Sequence, residues 1–294
     1  MPARPLRPLP LAALACSCAL ALIVGYLIFV RTHAGQRLDE AALDGRLASD
    51  HARHAASVLL TTISIGSLAL ALMLLVGQAL VRRRVALAVV PVAVVLGALV
   101  LTEVLKHVLV RPELVYSSID HNSFPSGHTA TAFAVGIAAA LAAPPQWRRV
   151  VAVGALLYGT AIGIATIAAG WHRPSDVAGA MLVVTGWAAV VVLAVSLVDR
   201  HAFADERRDG GDRSRSTWVR TPDLGGYVLL AVIALAAGWV LTVAIVGGRR
   251  LEAIELTTWN AAFVAACACV AALAALLLMA LLVVMRESLR APRG

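Results

Sequence analysis

Long apolar runs separated by short polar connections dominate the chain from end to end. A helix needs roughly 17–25 residues to cross about 30 Å of hydrocarbon. Eight stretches reach or approach that length: Leu11–Val30, Ala56–Val81, Val85–Val110, Pro125–Ala143, Val150–Ala169, Asp176–Val198, Gly226–Val246 and Thr258–Met285. The pattern predicts an all-α fold, a polytopic membrane helical bundle. Arg4 and Arg7 precede the first stretch as they would in a signal peptide. The stretch outruns the usual core of about 7–15 residues and lacks a convincing small-residue cleavage site, so it is expected to remain as an anchor.

The segment between the sixth and seventh stretches is charged, contains glycine and has no helical apolar period. It divides the chain into a six-helix block at 1–198, a basic cytoplasmic linker at 199–225 and a two-helix transmembrane tail at 226–294.

Composition agrees with the pattern. The 294 residues are 60% hydrophobic and 14% charged, against about 45–50% apolar and about 25% charged in soluble domains. A water-soluble globule and a disordered chain are both excluded. The four cysteines form two pairs, Cys16/Cys18 and Cys267/Cys269, each inside an apolar run. Residues two apart point about 200° apart on a helix, so neither pair makes a metal-binding face. They read as small buried hydrophobes.

The net charge of +8 would suggest nucleic acid in a soluble protein. Its placement says otherwise. Sixteen lysines and arginines fall on one side of the eight stretches and nine on the other. Because positive residues are retained inside, the richer side is expected to be cytoplasmic, with both termini there and the chain integral to the plasma (cytoplasmic) membrane. The bilayer is then the expected partner, and no nucleic acid is.

At the opposite, extracytoplasmic end this topology gathers three polar segments: Thr102–Leu114, Phe124–Ala130 and Ala169–Gly179. Lys106, within the first, is the single lysine of the chain. Together they supply cations, two imidazoles and a carboxylate, a set suited to a phosphate group. Pro125, Ser126 and Gly127 precede an apolar helix, so N–H groups of Ser126, Gly127 and His128 can face an oxyanion with the helix dipole behind them. His172 and Asp176 are four residues apart, with Pro174 suited to a first helical turn. A carboxylate that fixes one imidazole nitrogen leaves the other free to attack. His128 can protonate a departing alkoxide. There is no acidic cluster suited to Mg²⁺, so no metal or cofactor is expected.

These residues resemble the type 2 phosphatidic acid phosphatase (PAP2) superfamily. Pro125-Ser126-Gly127-His128 matches its Pro-Ser-Gly-His motif in full, and His172 with Asp176 matches the end of its Ser-Arg…His…Asp motif. The resemblance implies a six-helix catalytic core with two added C-terminal transmembrane helices, and metal-independent phosphate-ester hydrolysis through a phosphohistidine. By that resemblance His172 is the nucleophile, Asp176 its orienter and His128 the acid and later base, while Lys106, Arg111, Ser126 and Gly127 hold phosphoryl oxygens. Two positions depart from the pattern. Four residues rather than six separate Lys106 from Arg111, and Ala165 and Thr166 stand where the family has Ser-Arg. Thr166 offers one neutral donor, and Arg173 is the expected substitute for the missing charge. The function expected is a membrane phosphatase acting on a lipid phosphate or lipid pyrophosphate. The alternative is a catalytically impaired relative that binds or moves anionic lipids.

Overall fold

The computed structural model describes residues 8–45, 50–82, 85–119, 121–198 and 256–289. These form nine α-helices without a strand: α1 (Leu9–Gly25), α2 (His33–Asp44), α3 (Asp50–Leu60), α4 (Ile65–Val81), α5 (Val85–Val108), α6 (Gly127–Ala142), α7 (Pro145–Ala168), α8 (Pro174–Val198) and α9 (Leu256–Leu289). A π-helical turn, Tyr26–Val30, prolongs α1. The seventh apolar stretch and the linker lie outside the described residues.

Five of the described segments are long and apolar enough to cross a membrane: Leu9–Val30, Ala88–Val108, Gln146–Ala168, Pro174–Val198 and Ala261–Met285. The stretch expected as one helix over Ala56–Val81 is instead broken, with its halves bent by 54°. Side-chain chemistry explains the break. The hydroxyls of Thr61 and Thr62 bond back to Val58 and Leu59 carbonyls, and Ser64 begins a new helix through a reciprocal capping box with Ser67. Counted as one span, the bent pair is a sixth.

The core centres on α6 and α8, both buried along most of their length. Alanine and glycine make this possible, because small residues let helix backbones approach closely. A Cβ added to Gly136 would stand only 2.9 Å from that of Ala155 on α7. The ends of α5 and α7 and the starts of α6 and α8 consequently meet at one end of the bundle.

Helix α2 has no counterpart among the eight apolar stretches. It is short and polar, begins at Thr32, whose side chain accepts the Gly35 N–H, and folds back on the end of α1. Gly35 permits that reversal, since a Cβ there would overlap the Ile28 carbonyl oxygen at 2.0 Å. Gln36, Asp39, Glu40 and Leu43, at one-turn spacing, are buried.

Candidate active site

A cavity of about 600 Å³ opens where these helix ends meet. Glu103, Lys106, His121, Gly127, His128 and His172 contribute to its wall. Lys106 lies in the last turn of α5. Its Nζ pairs with Glu103 Oε2 at 3.0 Å, and a Cβ on Gly127 would lie 3.4 Å from it. Glycine therefore gives the ammonium room beside the start of α6. Asn122 holds the end of α5 in place by donating to the carbonyls of Lys106 at 2.8 Å and Leu109 at 2.7 Å.

Ser126 is the N-cap of α6, with its Oγ accepting the Thr129 N–H. Its own N–H donates to the Asp176 carbonyl at 3.0 Å. The N–H of the fully buried Ser126 is thus engaged within the protein, and its Oγ accepts within α6. Of the three N–H groups expected to face an oxyanion, those of Gly127 and His128 are left for one.

The turn between α7 and α8 places His172. Gly170 adopts φ 77°; its N–H bonds the Ile167 carbonyl and that of Trp171 the Thr166 carbonyl. This is the Schellman arrangement that ends a helix on a left-handed glycine. The Thr166 carbonyl accepts the His172 N–H as well, at 3.2 Å. Pro174 then opens α8, so the nucleophile candidate sits in a turn fixed from both sides. The His172 and His128 rings are 6.4 Å apart, and His128 packs on Trp171 at 5.3 Å.

Asp176 is fully buried below His172, with Oδ2 3.5 Å from the imidazole Nδ1. That distance is an ion-pair approach rather than an aligned hydrogen bond, and buried Nδ1 has no hydrogen-bond partner among the described residues. The same carboxylate accepts from Ser123 Oγ at 2.6 Å and the Arg173 N–H at 2.9 Å. Its other oxygen lies 3.4 Å from Arg111 Nη1.

The remaining expected phosphate contacts are turned away from the cavity. Arg111 bridges Asp39 Oδ2, at 3.0 Å, and Asp176. Arg173, with a side chain only 2% exposed, donates from Nε to Glu40 at 2.5 Å, from Nη1 to Ser123 at 3.1 Å, and from Nη2 to Ser117 Oγ and the Ile119 carbonyl. The Thr166 hydroxyl bonds back to the Gly163 carbonyl at 2.7 Å. None of Arg111, Arg173 and Thr166 lines the cavity. Thr166 serves the site through its carbonyl, and the arginines through carboxylates of α2.

Those carboxylates escape a reading of the apolar stretches. Asp39 also accepts from the Ser175 N–H at 3.1 Å and Ser175 Oγ at 2.5 Å. Burial pushes its carboxyl up to about 6, with Arg111 pulling the other way and Asp176 adding to the rise. Gln36 secures the loop after α5, donating to the Pro112 carbonyl and accepting the Leu114 N–H. The available signal was polar residues at helical spacing after Thr32, a good N-cap. Among the described residues no three His, Cys, Asp or Glu side chains are grouped as metal ligands.

Residues 88–200 match the family model described as PAP2 superfamily. The matched stretch holds Lys106, the start of α6 and the whole turn from Thr166 to Asp176, but not α2. No curated protein and no solved structure matches the chain.

Proposed function

We propose that this membrane protein is a phosphatase that hydrolyses a lipid phosphate or lipid pyrophosphate at the extracytoplasmic face, a reading supported by the match of residues 88–200 to the PAP2 superfamily model. One observation carries the reading. His172, with Asp176 behind its Nδ1, and His128 flank the same cavity as Lys106 and Gly127. A phosphoryl group bound beside Lys106 would meet the N–H groups of Gly127 and His128 at the positive end of the α6 dipole. His172 Nε2 attacks phosphorus as the bond to the ester oxygen breaks, and His128 gives that oxygen its proton. Water, deprotonated by His128, then attacks the phosphohistidine and releases inorganic phosphate. The roles suit phosphoryl transfer, which needs positioning and charge stabilisation above all. A site at the helix ends suits a substrate whose tail stays in the bilayer while its head group enters the cavity.

The alternative, binding or movement of anionic lipid without chemistry, draws support from the two arginines held by carboxylates. Phosphate release from a panel of lipid phosphates by detergent-purified protein in EDTA, beside His172→Ala, separates the readings. Release abolished by the substitution supports the phosphatase. Saturable lipid binding without release from any substrate supports the alternative.

A further inference from the structure

Arg111 offers one positive charge to two buried carboxylates. It stands closer to Asp39 than to Asp176, 3.0 Å against 3.4 Å. Asp39 also holds the residue next to Asp176: Oδ1 accepts the Ser175 N–H and Oδ2 the Ser175 hydroxyl. That N–H belongs to the first turn of α8, where backbone donors have no partner within the helix. A carboxylate on α2 therefore caps the helix that carries Asp176. This cap comes from a residue 136 positions away in sequence.

We propose that Asp39 is a positioning residue for the His172–Asp176 pair, acting through Ser175 and Arg111 and making no contact with substrate. With Asp39 charged, Arg111 is drawn toward α2 and Asp176 keeps its negative charge for His172. Without that charge the guanidinium falls to Asp176 alone, competes with the imidazole for it, and leaves His172 a poorer nucleophile. Among the described residues, the charged or titratable groups around the pair include Asp39 and Glu40 from α2, Arg111 and His121 from the loop after α5, His128 from α6, Lys106 and Glu103 from α5 and Arg173 beside it. Arg173 is itself held by Glu40, so α2 restrains both arginines that sequence alone would offer to the phosphate.

The proposal rests on the phosphatase reading, and its test is chosen to separate the two. Asp39→Asn, with Asp39→Gln should the first not fold, is compared with wild type by steady-state kinetics on a lipid phosphate. A misoriented nucleophile lowers kcat roughly 10-fold to 100-fold, with KM within about twofold. A second readout needs no turnover. Carbethoxylation of His172 by diethyl pyrocarbonate, followed by peptide mass spectrometry near pH 8, should slow severalfold in the variant while His128 keeps its rate. Arg111→Gln, which returns Asp176 to His172, should not slow it. A raised KM at unchanged kcat, or equal reactivity of His172 in variant and wild type, overturns the proposal. If wild type hydrolyses no phosphate ester, the phosphatase reading fails while the His172 modification rate still decides the role of Asp39.

Discussion

Truncation of Glu40 is the most exacting test of the buried polar lattice behind the cavity. Glu40 lies on α2 and Arg173 in the turn before α8, their side chains 10% and 2% exposed. Removing one partner of a buried ion pair costs about 3–5 kcal/mol, because the other charge is left uncompensated. Arg173 keeps Ser123, Ser117 and the Ile119 carbonyl as acceptors, so Glu40→Ala is expected near the lower end, about 3 kcal/mol. Glu40→Gln retains an acceptor without charge and should cost less, about 1–2 kcal/mol. Removing both charges, as in Glu40→Leu with Arg173→Met, should recover most of the loss, since an apolar pair needs no compensation. Unfolding in mixed detergent micelles, followed by tryptophan fluorescence, measures all three. A loss under about 1 kcal/mol for Glu40→Ala, as for an exposed pair, or a double variant no more stable than Glu40→Ala, would refute the reasoning.

Other expectations concern the cavity and its supports. Lys106→Ala should raise KM for a lipid phosphate roughly 10-fold or more, through loss of a charge-assisted contact; steady-state kinetics against substrate concentration checks it. Arg173→Ala should lower activity far more than Arg53→Ala, with both variants shown to be folded, because only Arg173 fixes the turn that carries His172; equal activities refute this. The Asp39 carboxyl, pushed up to about 6 from its ordinary 3.8, binds its proton more tightly in the folded protein. Its contribution to stability is therefore full below about pH 4 and lost as pH rises through about 6, amounting to about 3 kcal/mol. Asp39→Asn should flatten that part of the stability profile in the same unfolding assay.

Much of the architecture was legible in the apolar pattern because a membrane helix must satisfy its backbone internally and cover itself with apolar side chains. The stretch at 176–198 is the body of α8, opened by Pro174 as its fixed φ favours. The bend after Leu60 was legible in principle, in Thr61, Thr62, Ser64 and Ser67, but mean apolarity over a window averages such polar punctuation away. Local chemistry around the site was equally readable: an apolar helix opening after Pro125-Ser126-Gly127, and His172 one turn from Asp176.

Alone, the sequence determined the apolar stretches, the match of residues 88–200 to the PAP2 superfamily model and the pairing of His172 with Asp176 one helical turn apart, because each follows from composition or spacing within one segment. Only the tertiary structure decided what the charged side chains do. Arg111 and Arg173 read as phosphate ligands so long as their partners are unknown. In the folded chain α2 brings Asp39 and Glu40 to them across more than seventy residues, and an arginine buried beside a carboxylate is held there by the cost of leaving either charge unpaired. No periodicity within a segment encodes that pairing, since it depends on which helix end comes to rest against which.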